Sequence, residues 1–354
     1  MATPENLAQN GAQRETVPDS FRGARRALCA PSASPAAAPE SVASSKPRGT
    51  LPLVTFNDLL WLLYLYPVCW LARALPRSLL YAIGKLADPI IQFHARERVA
   101  RATPWIAETC RRTPEDARKI ARRSLSNILS GALDDLLLLA PSADQRLHCD
   151  GVDGRHHLES ALARGKGVIL LVGHFCANRI ALRYLAKNGY TVLSVHNRQP
   201  TNIAEGRLGR RFLQPRRIDL QKHGLPDPVF VQDSGCTLQI IRRLRAGGLA
   251  ALQMDGRAGT NPIDYSFLGW RRHLASGIFE IVRLSDCAVV PMLCLGRSDG
   301  FRIRFDPMLE IVPAASREAF IGANLSRFLT AVESQIVENP EEWRLWNHFL
   351  AWRV

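Results

Sequence analysis

The chain has 354 residues, 47% apolar and 22% charged, with 46 Lys plus Arg against 32 Asp plus Glu. That length can bury one large core or two ordinary ones; the apolar fraction excludes a wholly disordered chain, and the charged fraction excludes a polytopic membrane protein. The net charge of +14 points to an anionic partner without choosing among nucleic acid, phospholipid and acidic substrate.

Residues 1–52 are rich in Ala, Pro, Ser and Arg, with a low-complexity run from Ala30 to Ser45. They hold too few large apolar side chains to offset the entropy of ordering, so a disordered tail is predicted. Six bases and four acids in residues 1–50 leave most of the positive charge to the rest of the chain. The eight cysteines are scattered without a C-x-x-C pair, which argues against metal knuckles and a disulfide framework. No basic-then-apolar secretory signal opens the sequence, and a reducing, cytoplasmic setting is expected.

Leu59 to Ala72 (LLWLLYLYPVCWLA) carries no charge. Fourteen helical residues rise about 21 Å, short of a hydrocarbon core of about 30 Å, and Pro67 interrupts them. Two Trp and two Tyr in this run are side chains favoured at a membrane interface. Apolar positions continue through Ile83, Leu86, Ile90 and Ile91, followed by nine bases and four acids over residues 96–123. The pattern predicts a monotopic anchor, an apolar helix in the headgroup boundary with basic surface against anionic lipid. The alternative is a buried core helix.

Thr113-Pro114-Glu115-Asp116 begins a helix predicted to run to about Leu139, with an N-cap, a proline at the first position and acids at the positive dipole end. Gly167–Val172 is a continuous apolar run, as expected of a strand covered on both faces. Alternation follows: helix 177–187, strand 190–195, helix 235–245, strand 249–254, helix 276–284, strands 288–295 and 301–305, then helices 316–337 and 341–352. The expected fold is α/β, with a mostly parallel central sheet flanked by helices. A helical, membrane-associating region over 53–150 is expected to pack with the α/β region, 151–354, as one domain.

His174, in Val172-Gly173-His174-Phe175, falls between a buried strand and a helix. That is the carboxyl edge of the sheet, where open α/β folds place their sites. Its imidazole can take a proton from a hydroxyl near neutral pH, or merely cap the helix. Gly256 and Gly259 allow a tight turn after the strand that ends near Asp255, and Tyr265, Phe267 and Leu268 are candidates to border an apolar channel beside it. Arg207, Arg210 and Arg211 suggest a phosphate-binding wall, since 207 and 211 share a helix face. Arg271, Arg272 and His273 offer positive charge to an acidic partner or to solvent. His196, His223, His273 and His348 have no metal-ligand spacing, and no dinucleotide or P-loop motif occurs. Cys176 is expected to be a small buried helix residue rather than a nucleophile. No nucleic-acid-binding module is recognisable.

Gly173-His174-Phe175, Asp255-Gly256-Arg257-Ala258-Gly259, Phe267-Leu268-Gly269, Ala275-Ser276-Gly277, Val289-Val290-Pro291 and the Trp-rich end Glu342–His348 occur in an order that resembles the lysophospholipid acyltransferases. The branch they look most like is the bacterial late acyltransferases of lipid A biosynthesis, over roughly residues 56–352. The resemblance implies transfer of a fatty acyl chain from an acyl thioester, on acyl carrier protein or coenzyme A, to a hydroxyl of a lipid or glycolipid acceptor. It implies no cofactor and no metal, and a place at the cytoplasmic face of the bacterial inner membrane. His174 would be the general base, Arg198 and Arg257 would hold phosphate or a developing oxyanion, and Gly269 would be a substrate-binding position.

The family's motif is H-x4-E or H-x4-D, and Arg179 stands where the acid belongs. A carboxylate there would accept the second ring N–H, whereas a guanidinium accepts no hydrogen bond and opposes charging of the imidazole. Three outcomes are open: Asp255 supplies the carboxylate, Arg179 turns away or binds phosphate, or the chain is an impaired relative that only binds lipid or acyl carrier.

Overall fold

Thr55 opens the first helix, α1 (Phe56–Leu63), with a reciprocal cap: its hydroxyl accepts the Asp58 N–H at 3.1 Å, and Asp58 Oδ2 accepts the Thr55 N–H at 2.6 Å. Both bonds satisfy donors that a first helical turn leaves over. Pro67 has no N–H to give, and the helix widens into a π-turn over Tyr64–Val68 before continuing as α2 (Cys69–Ala74). Three longer helices follow, α3 (Arg77–His94), α4 (Arg96–Thr109) and α5 (Pro114–Leu137), then the short α6 (Ala143–Arg146). α5 begins where its sequence predicts, with Thr113 Oγ1 accepting the Asp116 N–H at 3.2 Å. The computed structural model describes residues 52–140, 143–197, 206–256, 262–296 and 300–346. The tail expected over 1–52 lies outside these, Pro52 excepted. Among the described residues, no helix is long and apolar enough to cross a membrane.

The remaining elements are β1 (Cys149–Asp153), α7 (Arg155–Leu162), β2 (Val168–Val172), α8 (Asn178–Lys187), β3 (Val192–His196), a π-turn (Gly209–Leu213), α9 (Gln214–Gly224), β4 (Pro228–Phe230) and α10 (Cys236–Arg245). They continue with β5 (Leu249–Gln253), β6 (Pro262–Phe267), β7 (Trp270–Ala275), α11 (Gly277–Ser285), β8 (Ala288–Gly296), β9 (Phe301–Phe305) and α12 (Arg317–Glu338). Seven strands form one sheet in the order β1-β9-β8-β2-β5-β3-β4, and every pairing is parallel except β8 with β9. β6 and β7 form a separate antiparallel hairpin.

The reason β2 lies mid-sheet is its sequence, VILLV, which is buried throughout. Alternate side chains point to opposite faces. Ile169 and Leu171 enter one core with α4, α5, α10, α11 and α12, while Val168, Leu170 and Val172 enter a second with α7 and α8. Helices thus cover both faces, as a mostly parallel sheet requires.

The N-terminal helices are tied to this sheet by a buried polar junction. Arg77 on α3 grips Asp134 on α5 at 2.9 and 3.0 Å, Tyr81 donates to Asp134 at 2.6 Å, and Arg77 Nη1 reaches the Gly300 carbonyl at 2.8 Å. Asp58, besides capping α1, accepts the Gly206 N–H at 2.9 Å and anchors the segment that leads into α9.

Two predicted elements differ. The glycine-rich connection after Asp255 contains the β6–β7 hairpin, which turns on Leu268 and Gly269 at φ of 54° and 83°. The helix predicted over 341–352 is replaced, as far as residue 346, by a 3-10 turn (Pro340–Glu342) and extended backbone at Trp343. There the backbone pairs with the loop after β2: Trp343 bridges Phe175, the Cys176 N–H reaches Glu342 O at 3.1 Å and the Arg344 N–H reaches His174 O at 3.0 Å. Those bonds take up the groups a helix would have used internally. Residues 347–352 lie outside the described part.

Candidate active site

β2 and β5 pair in parallel, with Val172 opposite Gln253. Two residues beyond each lie His174 and Asp255, so both emerge at the same sheet edge. Asp255 Oδ1 lies 2.6 Å from His174 Nδ1, and Asp255 Oδ2 accepts the His174 backbone N–H at 2.7 Å. Trp343 Nε1 donates to the same Oδ2 at 2.7 Å. Gly256 makes room for the ring, since a Cβ there would sit 2.9 Å from His174 Cε1.

Asp255 is fully buried, while the His174 side chain is one-quarter exposed. Burial pushes the Asp255 carboxyl up, but the charge of His174 and the donors from His174 and Trp343 outweigh it, holding the carboxyl below its ordinary range. An ionised carboxylate accepts hydrogen bonds only, so it fixes the proton on Nδ1 and leaves Nε2 as the basic nitrogen. The arrangement is a His–carboxylate pair suited to deprotonating a hydroxyl and to carrying the resulting positive charge.

Arg179, on the first turn of α8, turns away from this pair. Its Nη1 lies 2.8 Å from Asp135 Oδ2 on α5, with both side chains about one-quarter exposed. His196, at the end of β3, lies near this guanidinium. Burial first, and then the Arg179 charge, push its imidazole down to about 3, so it is neutral at physiological pH and unfit as a base.

Arg207 and Arg211 are exposed on the segment that precedes α9, where the Arg207 N–H donates to Pro52 O at 3.0 Å. Arg198 and Arg257 lie outside the described residues, as do Ala258 and Gly259. Gly269 occupies the hairpin turn, exposed, in the left-handed region where glycine carries no steric penalty. Glu333 of α12 accepts the neighbouring Leu268 N–H at 2.5 Å and holds that turn. Of the basic trio that falls on the hairpin, Arg272 is buried and donates to the Arg271 carbonyl, and His273 pairs with Asp264 across the strands. Only Arg271 of the three is exposed, so the cluster does not present the charge its sequence suggested.

Cys176 lines a cavity of about 270 Å³ behind the His174 loop, shared with Tyr81, Asn127, Gly131 and Glu342. Burial pushes its thiol far up, which leaves it protonated and poorly nucleophilic. Among the described residues, no group of three or more His, Cys, Asp or Glu could hold a metal ion.

Trp343, Asp135 and Glu333 were missed as members of this neighbourhood. The Trp-rich end was visible in the sequence, but a helix was expected there, and nothing local marks which tryptophan would reach Asp255. Asp135, next to Asp134 on α5, and Glu333 on α12 are acids on long helices, and no sequence signal marks them for the site.

The family model described as bacterial lipid A biosynthesis acyltransferase matches residues 58–350. No curated protein matches the chain.

Proposed function

Since the chain belongs to the bacterial lipid A biosynthesis acyltransferase family, a family of acyltransferases that act on lipid, we propose that it is a membrane-associated O-acyltransferase with His174 as general base. The acyl group comes from a thioester, on acyl carrier protein or coenzyme A, and goes to a hydroxyl of a lipid or glycolipid. The observation that carries this reading is the 2.6 Å contact between His174 Nδ1 and the buried carboxylate of Asp255.

The reaction follows from that pair. His174 Nε2 takes the acceptor hydroxyl's proton as the oxygen attacks the thioester carbonyl, and Asp255 stabilises the imidazolium. Collapse of the tetrahedral intermediate forms the ester and breaks the carbon–sulfur bond. The imidazolium returns its proton to the departing thiolate. A thioester is already activated, so no step calls for a cofactor or metal. Arg198 and Arg257 are proposed to hold phosphate or the oxyanion, and Arg207 and Arg211 to extend the basic wall toward an anionic headgroup. The pairing of Arg179 with Asp135 supports a working site, because Asp255 already occupies the nitrogen that the missing motif acid would have met.

Membrane association is supported by the apolar side chains that α1 to α3 leave exposed, among them Phe56, Leu59, Leu63, Trp70, Leu86, Ile90 and Phe93. Exposed apolar side chains on successive helices of a basic protein suit an anionic lipid surface without a span. The proposed location is the cytoplasmic face of the bacterial inner membrane.

The test is transfer of a labelled acyl chain from acyl carrier protein or coenzyme A to a bacterial lipid extract, comparing wild type with His174→Ala. Transfer by the wild type and loss in the variant is expected. A folded wild type that binds lipid but moves no label with either donor refutes the enzyme reading and leaves a binding protein.

A further inference from the structure

We infer that Trp343 is a positioning residue for the His174–Asp255 pair: its indole N–H holds one carboxylate oxygen so that the other meets the imidazole. The inference rests on the acyltransferase reading above.

Asp255 divides its two oxygens between different tasks. Oδ2 accepts from the His174 backbone N–H and from Trp343 Nε1, both at 2.7 Å, and Oδ1 is left 2.6 Å from His174 Nδ1. A carboxylate on a single backbone donor can still swing about its Cα–Cβ and Cβ–Cγ bonds. A second donor, from a different element, fixes the plane of the group and therefore the direction of Oδ1. Charge-assisted bonds of this kind are the strong ones in a buried setting.

The donor itself is held on several sides. Trp343 is fully buried, its ring stands edge-on to Trp346 with centroids 4.7 Å apart, and Phe267 lies at 6.3 Å. Its carbonyl accepts from Ser124 Oγ on α5 at 3.0 Å. On either side of it, backbone bonds from Cys176 to Glu342 and from Arg344 to His174 tie the same segment to the loop that carries the base. One stretch of chain therefore fixes His174 through its backbone and Asp255 through a side chain. This explains why residues 343–346 give up the helical course their sequence suggests.

The indole thereby also sets how strongly the carboxylate acts on the imidazole. Without it Oδ1 is free to swing and meets the imidazolium less closely, so the pull on the imidazolium weakens. Among the described residues Tyr265 of β6 also faces Asp255, and its hydroxyl is pushed far up by burial and stays neutral. Arg344 adjoins Trp343 with its side chain exposed.

The experiment compares wild type with Trp343→Phe, which keeps an aromatic ring and removes the N–H. Where that variant does not fold, 3-benzothienylalanine at position 343 preserves the indole shape with sulfur in place of the donor. The first readout is the NMR titration of the His174 imidazole, which needs no turnover; the second is kcat and KM for acyl transfer across pH. Expected results are a His174 midpoint lowered by about half a unit to one unit, the acidic limb of kcat/KM lowered with it, and kcat lowered by about 10- to 100-fold with KM for the acyl donor little changed. A folded variant whose His174 titration matches wild type overturns the inference, even with a lowered melting temperature, because that is the mark of a packing residue alone. If the wild type transfers no acyl group, the enzyme reading falls while the titration still decides the role of Trp343.

Discussion

His174 and Asp255 stand at equivalent steps beyond a paired position of two parallel strands, two residues past Val172 and two past Gln253, and meet at 2.6 Å. The contact joins residues 81 apart in the chain through the register of β2 and β5 rather than through a local motif. A carboxylate five residues after the histidine would have to reach back from the first turn of α8. One at the end of the neighbouring strand is aimed at the same edge by the sheet itself.

Replacing Asp255 by Asn keeps the shape of the side chain but removes its charge. The amide nitrogen can then face Nδ1 and select the wrong tautomer, so turnover is expected to fall by about 10²- to 10⁴-fold. The same substitution has a pH signature in stability. Because the folded carboxyl ionises below its ordinary range, its contribution is complete above the unfolded value of about 3.9 and is lost as pH falls through the lower folded value. Denaturant titrations of wild type and Asp255→Asn should therefore diverge near neutrality and converge on acidification. A gap that stays constant with pH contradicts this assignment.

Arg179→Glu restores the acid of the family motif, yet it is not expected to raise turnover. Nδ1 already faces Asp255, and the new side chain would lie against Asp135 in place of a 2.8 Å ion pair. The pair is partly exposed, so its loss should cost on the order of 0.2–1 kcal/mol. The reciprocal exchange, Arg179→Glu with Asp135→Arg, should recover that cost. Steady-state transfer assays and melting curves of wild type and the two variants check both statements; turnover above wild type in Arg179→Glu would falsify the view that Asp255 has taken over the role.

The strands and helices that feed the two cores were legible because periodicity and burial agree there: VILLV in β2 and the capped start of α5 are local signals. His174 and Asp255 were legible for the same reason, since strand ends predict a sheet edge. Trp343 was not, because its position depends on a backbone pairing with Phe175 across 168 residues that no local pattern encodes. The hairpin was hidden because Gly256, Gly259 and Gly269 describe a loop as well as a two-residue turn. Arg272 misled by composition: an arginine in a basic run suggests surface, but its strand alternation points it inward.

The exposed apolar face of α1 predicts measurable lipid binding. Leu59 and Leu63 are each 53% exposed, so Leu59→Gln and Leu63→Gln should leave the fold intact. A leucine moved from water into an apolar phase gains about 1.5–3 kcal/mol, and each substitution should weaken vesicle binding by roughly tenfold or more. Co-sedimentation with anionic vesicles should also weaken as salt rises, because the accompanying arginines act through screened charge. Unchanged sedimentation in the double variant would remove α1 from the lipid contact.

The junction of Arg77 with Asp134 gives a prediction about stability alone. Both side chains are 4% exposed, and the guanidinium also holds the Gly300 carbonyl and the Tyr81 hydroxyl. Asp134→Ala leaves a buried cation without its counter-charge, for which a loss of about 3–5 kcal/mol is expected. That is a large share of the roughly 5–15 kcal/mol that keeps a domain folded. Removing both charges is a different operation: Arg77→Met with Asp134→Leu gives up the pair's attraction but also the desolvation of two ions, and such exchanges are often neutral or stabilising. Denaturant midpoints should therefore rank the double variant above Asp134→Ala. The opposite order would mean that the bonds to Gly300 and Tyr81, rather than the charge balance, hold α3 and α5 to the sheet.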